Sequence, residues 1–519
     1  MEISGTRRIF FTLLVCAGIF LLHTISAHAN NVQITNGSVE DQDTDADTAK
    51  IQFDISWDNC WRDSVNYDAV WVFVKYSMDS GSTWNHAVLT ASGINPSGFS
   101  AGSGTEMEIL IPSDRRGCFI QRSWTGEGSV DTENVQIVWD YGADGLADND
   151  MIDIDLKIFG IEMVYIPAGS FYAGDYEIGV AAFDQGSAFS ETDPWYVQGE
   201  TAISVEDIAS NGYYYNSAAN PGEEASGAEF IISDSFPKGY NAFYVMKYEI
   251  SEGQWTGFFN LLTQAQKTNR DLTAVSGKNS DAVVNRNTVS WTTGDAATDR
   301  PDRACGYLSW ADLCAYADWA GLRPMTELEF EKSARGVDIL PETGEYAWGD
   351  TSITAGAAIS GTENGTETVT TTNANCCYNN QVFSGGDNGR GPLRAGIFAT
   401  AVSTRPEAGA GYYGVMELSG NLWERCVTIG NVSGRAFLGT HGDGILEAAS
   451  GYEGNATNAD WPGYVNGQGV SGAGGSGFRG GSWLETVAGK MSVSDRSEAA
   501  LTSTARASDT GGRCVRTAP

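Results

Sequence analysis

Histidine is almost missing from this chain, with four in 519 residues. Two of these, His23 and His28, fall in an apolar leader, so only His86 and His441 remain for the body of the protein. A site that needs two or three clustered imidazoles is thereby excluded within one chain, which removes most zinc hydrolases and three-histidine iron centres. Read singly, each is a lone surface or core-edge side chain. Basic residues are also scarce: 31 Lys and Arg stand against 66 Asp and Glu, a net charge of -35. Such a surface repels nucleic acid and anionic lipid and favours solubility and divalent cations. No C-x-x-C or Cys/His zinc spacing occurs, and no internal repeat is found.

Long apolar runs are lacking after the first 22 residues. The leader carries Arg7 and Arg8, runs apolar from Ile9 to Leu22 and reaches Ala27-His28-Ala29. That is the order of a secretory signal peptide, with Asn30 as the expected mature N-terminus. It is shorter than the roughly 20 residues a membrane-spanning helix needs, so no transmembrane segment is expected in the mature chain. Cys16 follows Val15 rather than a small residue, which speaks against a lipidated cysteine. Cleavage removes Glu2, Arg7 and Arg8 and leaves 65 acidic against 29 basic side chains, or -36. The expected location is outside the cytoplasm: extracellular, cell surface or periplasm.

What is present is core-forming. Hydrophobic residues make up 41% and aromatics 11%, which is not the composition of a disordered acidic tail. About 490 mature residues imply two to four domains at roughly 150 residues each. Eight cysteines stay after cleavage, at positions 60, 118, 305, 314, 376, 377, 426 and 514. An even number in an exported chain favours disulfides. Cys60 and Cys118 are alone in the first third and are expected to pair; the other six allow 15 connectivities.

From Val32 to about Ile161, IQFDISW, AVWVFVKYS, MEILIP, VQIVWDY and IDIDLKIFG read as strands separated by Gly, Ser, Asn and Asp clusters,. The expectation is a β-sandwich over residues 30–160, after a signal peptide over 1–29. Its exit, DYGADGLADND, places Asp140, Asp144, Asp148 and Asp150 around two glycines. This is either a calcium loop without the EF-hand glutamate or a solvated acidic turn. From residue 161 three helix starts are legible. Ser251 with Gln254 and Thr326 with Glu329 form capping boxes, and Ser309 opens WADLCAYADWAG,. The stretches 351–390 and 463–482 are Gly-rich loops, of a length normally pinned by metals, disulfides or a partner.

Several segments in order carry a resemblance: MVYIPAGSFYAGD, YVMKYEISEGQWTGFFN, YLSWADLCAYADWAGLRPMTELEFEKSARG, YAWGD, GYYGVMELSGNLWER, FRGGSW and GGRCVR. Residues 161–519 thus resemble the formylglycine-generating enzyme family, the sulfatase-modifying factor domain. The resemblance implies an α+β chain whose β-sandwich is followed by a loop-rich variant of the C-type lectin fold with two or three helices. It also implies calcium held by Glu417, the carbonyls of Gly420 and Leu422, and Glu424. Glu417 stands where the family has Asn or Asp and supplies the same hard oxygen. A second calcium site would use Asn375, the carbonyl of Cys376 and Asp387. Trp423 reads as a core anchor.

The family's catalytic part is not matched. Its active members bind copper(I) through two cysteines shortly after the GGS-aromatic motif and oxidise a substrate cysteine to formylglycine. Here Gly480-Gly481-Ser482-Trp483 is followed by Glu485 and Lys490 at those positions, and no cysteine lies between Cys426 and Cys514. The resemblance makes Cys514 the family's structural terminal cysteine, with Cys314 as its natural partner. Iron-dependent sulfoxide synthases, which join this domain to a histidine-bearing bundle, are excluded by the β-rich N-terminal part and the missing histidines. Cys376-Cys377 reads either as a strained redox disulfide or as two structural cysteines. In the segment 495–513, Asp495, Arg496, Glu498 and Arg506 read either as a ligand groove or as a salt-bridged surface.

These readings point to an exported, non-catalytic binding or cell-surface structural protein on a calcium- and disulfide-stabilised scaffold. Its expected partner is an extracellular protein or glycan, or a second copy of itself as in a filament or sheath. Two alternatives stand. One is a metal-dependent enzyme of non-copper chemistry using acids such as Glu485 and Asp495. The other is a ligand-binding receptor of the kind diversified by retroelements.

Overall fold

The computed structural model describes residues 31–176, 180–185, 193–206 and 212–519, so the leader lies outside the described residues. In chain order its main elements are β1 (Gln33–Asp43), β2 (Thr48–Arg62), β3 (Asp68–Ser77), β4 (Met107–Ile111), β5 (Cys118–Arg122), β6 (Gly126–Asp140), β7 (Asp155–Ile166) and β8 (Phe243–Met246). There follow α1 (Glu252–Phe259), α2 (Trp310–Trp319), β9 (Arg323–Pro324), α3 (Glu327–Arg335), β10 (Trp423–Val427), β11 (Ser476–Arg479) and β12 (Cys514–Thr517). This is an α+β chain with few helices and long irregular connections.

Two sheets organise it. The smaller runs β1-β2-β6 with the short strand Ser103–Gly104. The larger runs β9-β12-β8-β7-β3-β5-β4 and ends on Gly93–Ile94. It therefore joins strands of the N-terminal sandwich to strands of the C-terminal part. The division expected at residue 160 falls inside β7, which pairs with β3 from Asp155↔Ser77 to Val164↔Asp68 and with β8 from Met163↔Met246 to Ile166↔Phe243.

The sequence of β3 shows why both sides of this sheet are covered. All ten of its residues are buried. Val70, Val72, Val74 and Tyr76 face the sandwich core with Ile51, Phe53 and Trp139. Ala69, Trp71 and Phe73 face the C-terminal core with Phe159, Ile161, Trp319 and Trp255. A strand covered on both faces reads as a continuous apolar run rather than an alternation. Trp71 fixes the junction further by donating its indole N–H to the Ala320 carbonyl at 2.8 Å.

The three helix starts form as their sequences predict. Ser251, Ser309 and Thr326 each cap the N–H three residues on, and Gln254, Asp312 and Glu329 return the bond. Helix α3 is amphipathic in an unusual sense, since its charged residues are buried, all but Lys332 in ion pairs and Lys332 against the Gly239 and Tyr240 carbonyls. Glu327 meets Arg479 and Arg496, Glu331 meets Arg335 and Arg479, and Glu329 meets Arg323. His86 is buried in the frame and His441 is half-buried. His86 lies against Lys75 at 3.0 Å, and His441 accepts the Thr517 N–H at 3.0 Å. Among the described residues no helix is long and apolar enough to cross a membrane.

Candidate functional site

The loop Met416–Leu422 leads into β10 through three residues of positive φ: Glu417 at 54°, Gly420 at 86° and Asn421 at 64°. Two of these are not glycine, a conformation that surrounding bonds must enforce. Met416 N–H donates to the Lys247 carbonyl at 2.9 Å, Gly420 N–H to Gly480 at 2.8 Å and Asn421 N–H to Cys377 at 2.9 Å. The Asn421 side chain accepts the Leu393 N–H at 2.8 Å and donates to Glu249. Glu249 also accepts the Leu422 N–H at 2.8 Å. The turn is thus tied to four distant parts of the chain.

Its acids are buried and incompletely matched. Glu417 accepts the Gly396 N–H through Oε1 at 2.7 Å, and its Oε2 has no hydrogen-bond partner. Glu424 is paired through Oε1 with Arg513 Nε at 2.6 Å, and its Oε2 is likewise buried without a partner. Burial pushes the Glu417 carboxyl up to about 7 and raises Glu424. Burial, and next the charge of Glu424, raise Glu249 strongly. Arg513, in contact with Glu424, is the counter-charge common to the three acids, and Arg394 adds a further one for Glu417. Two orphaned carboxylate oxygens beside a turned backbone suit a hard divalent cation that takes oxygen ligands. Among the described residues no group of three or more His, Cys, Asp or Glu is placed to hold a metal by itself. The fit therefore depends on two carboxylates together with carbonyls such as those of Gly420 and Leu422.

The second expected calcium set is differently engaged. Asn375 accepts the Thr354 N–H at 2.9 Å and donates to Ser352, while the Cys376 carbonyl accepts the Gly356 N–H at 2.9 Å. Asp387 lies 3.2 Å from Arg286 and 3.7 Å from Arg303. Two guanidiniums already supply the positive charge there. In DYGADGLADND each acid closes a local bond: Asp140 with Ala143 N–H, Asp144 with the Trp139 indole, Asp148 with the Tyr141 hydroxyl and Asp150 with Ala147 N–H. That arrangement favours the acidic turn over a calcium loop.

After Gly480-Gly481-Ser482-Trp483 the chain is anchored by Ser482 to Asp509 at 3.1 Å and by the Trp483 indole to the Ser508 carbonyl at 3.2 Å. Lys490 donates to Ser497 at 2.8 Å and Glu498 at 3.0 Å, and its ammonium sits 5.7 Å from the centre of the Trp423 ring. Glu485 is half-buried, its carboxyl raised by burial and partly offset by Lys490. The residues at this position are hard, charged and mutually neutralised. Copper(I) prefers soft sulfur.

The segment 495–513 does not form a groove of free charges. Arg496 is buried against Glu327, with Nε 2.8 Å from the carboxylate, and Arg506 is paired with Asp312 at 2.7 Å. Asp495 accepts from Ser497 at 2.7 Å. Both arginines are internal braces rather than surface residues.

The eight cysteines among the described residues are all buried free thiols in this structure. The Cys60 thiol interacts with Asp68 and Arg122. Cys314 and Cys514 are neighbouring buried thiols, each raised by burial. The Cys376 thiol donates to the Ser419 carbonyl at 3.2 Å and the Cys377 thiol to Gly391 at 3.7 Å, so the adjacent pair has separate partners. The sequence reading missed Glu249 and Arg513, which complete the acid cluster. Their positions in YVMKYEIS and GGRCVR carry no local signal, because each meets the loop only through folding.

The Sulfatase-modifying factor enzyme 1-like domain family matches this chain over residues 160–518. A protein named formylglycine-generating enzyme from Thermomonospora curvata is 33% identical over 133 residues, covering 26% of this chain and 36% of that protein. One of the same name from Streptomyces coelicolor is 27% identical over 156 residues, covering 24% of this chain and 49% of its own length. The chain thus spans between about a third and a half of the length of these curated relatives.

Proposed function

The chain belongs to the sulfatase-modifying factor family, and from that premise we propose that it is an exported, non-catalytic binding protein that keeps the family scaffold and has lost its copper chemistry. One observation carries the reading. Lys490, at the position where the resemblance expects a copper-binding cysteine, is tied to Glu498 at 3.0 Å and to Ser497 at 2.8 Å. An ammonium repels a metal cation, and its carboxylate partner is already neutralised. The other expected cysteine position carries Glu485, an oxygen ligand that does not favour copper(I). The relatives are named as enzymes, and this chain's residues depart from the family's pattern at the reacting atoms.

The scaffold is held, on this reading, by calcium. Glu417, Glu424 and the carbonyls of Gly420 and Leu422 would hold it, and the ion would supply the charge that the buried oxygens lack. Its role is to lock the turn that carries β10. The ligand-binding surfaces then lie on the loops, and export fits the leader and the acidic surface.

The experiment is metal analysis by mass spectrometry on protein taken from its native export route and dialysed without chelator, with a cysteinyl-peptide oxidation assay on the same material. Calcium at one per chain with no copper, iron or manganese, and no aldehyde product, is expected. Stoichiometric copper or iron, or turnover of the peptide, overturns the proposal.

A further inference from the structure

A cleft of about 1150 Å³ opens between the β-sandwich, which contributes Asp58, and the loop-rich part, which contributes Tyr248, Arg300, Asp302 and Arg394. Small-molecule sites are usually lined mainly by apolar and aromatic groups. This one carries few large apolar or aromatic side chains on its wall, Met416, Pro301 and Tyr248, among many polar and charged ones. Its charge is also unlike the rest of the chain. Three acids, Asp58, Asp299 and Asp302, face three bases, Lys247, Arg300 and Arg394, in a protein with twice as many acids as bases.

The two guanidiniums are held but not consumed. Arg394 has Nε 3.3 Å from Glu367 and gives one N–H each to the carbonyls of Ala395 and Glu367, at 3.2 and 3.0 Å. Each of its terminal nitrogens keeps a second N–H. Arg300 gives one N–H to the Asp299 carbonyl at 2.7 Å and has its Nε 3.8 Å from Glu363, while its other terminal nitrogen makes no hydrogen bond among the described residues. Lys247 is different, being held by Glu162 at 2.6 Å. The Tyr248 hydroxyl also has no hydrogen-bond partner among the described residues. The cleft therefore offers fixed forked donors suited to a carboxylate, a hydroxyl, and carboxylates that accept from hydroxyl groups.

We propose that this cleft binds an acidic oligosaccharide, with a uronate carboxylate taken by Arg300 and Arg394 and ring hydroxyls shared among Tyr248, Asp58 and Asp302. The inference rests on the binding-protein reading and names the ligand class of that activity. Galacturonic acid trimer, galactose trimer and glutamic acid trimer serve as probes, titrated into the full chain by isothermal calorimetry. The uronate trimer is expected to saturate one site. Its affinity should fall about tenfold or more in Arg300→Gln and in Arg394→Gln, since each loses a charge-assisted bond. The neutral sugar should bind at least about tenfold more weakly than the uronate for the same reason. Tyr248→Phe should weaken binding less.

Circular dichroism and unfolding midpoints establish that the variants are folded. The proposal is overturned if the uronate trimer fails to bind at millimolar concentration, if both arginine variants bind it as tightly as the parent, or if the glutamate trimer binds better. Copper content and peptide oxidation in the same preparation report on the non-catalytic reading independently, so failure of one is distinguishable from failure of the other.

Discussion

A Cβ placed on Gly420 would lie 2.4 Å from the sulfur of Cys376 and 2.8 Å from the carbonyl oxygen of Cys377. The glycine's φ of 86° is itself a conformation that other residues adopt at a cost,. The turn around the acid cluster can close against the two cysteines only because this position has no side chain. Gly420→Ala is expected to destabilise the protein by about 3 kcal/mol, from strained backbone and overpacking together. Urea unfolding reads this loss. Adding Cys376→Ala should recover part of it, a coupling above about 0.5 kcal/mol in a double-mutant cycle.

Calcium removal should act through the same turn. If the ion binds Glu417 and Glu424 in the native state alone, a chelator lowers the unfolding temperature of the parent protein. A ligand at 100 times its dissociation constant contributes about 2.7 kcal/mol. In Glu417→Gln the chelator-dependent shift should be much reduced. An equal shift in parent and variant would rule out Glu417 as a ligand.

Two ion pairs near the C-terminus should differ in weight. Lys490 and Glu498 keep 25% and 26% of their side-chain surface exposed. Lys490→Met is therefore expected to change stability by less than about 1 kcal/mol. Arg496 and Glu327 are fully buried. Arg496→Met leaves that carboxylate with less counter-charge and should cost about 3 to 5 kcal/mol, part of it regained by adding Glu327→Gln. Similar losses in Lys490→Met and Arg496→Met would contradict the burial described.

Asp184 gives a pH signature. Burial pushes its carboxyl up to about 7, and one of its oxygens is buried without a partner. The unfolded chain releases this proton near pH 4. The group's stabilising contribution is therefore complete below about pH 4 and is lost as pH rises through about 7. Asp184→Asn imitates the protonated acid and can keep the contact with Asn216, which is 3.3 Å away. Its stability relative to the parent should rise between about pH 4 and 7 and stay level above. A difference independent of pH would show that Asp184 is ionised in the folded protein.

Helix starts were legible because a capping box lies within four residues: Ser251 and Gln254, or Thr326 and Glu329, show it without knowledge of the rest. The strands of the sandwich were legible from composition and turn spacing. Their partners were not. AVWVFVKYS announces burial on both faces, yet nothing in it says that one face meets Trp319 and Trp255 from far along the chain. The sheet shared across residue 160 was missed for that reason. Arg496 and Arg506 look like surface residues in sequence because charge is usually solvated. Only packing against Glu327 and Asp312 makes them internal.

The acid cluster divides in the same way. By itself the sequence determined the family scaffold, the turn-forming Gly420, the acids Glu417 and Glu424, and the lack of thiolates after Ser482-Trp483, since each is a matter of residue type at short spacing. Only the tertiary structure decided that Glu249 and Arg513 join those acids, that Lys490 is neutralised by Glu498, and that Arg300 and Arg394 face Asp58 across one cleft. Hydrogen bonds and ion pairs depend on distances of a few ångströms between groups hundreds of residues apart, and folding sets those distances.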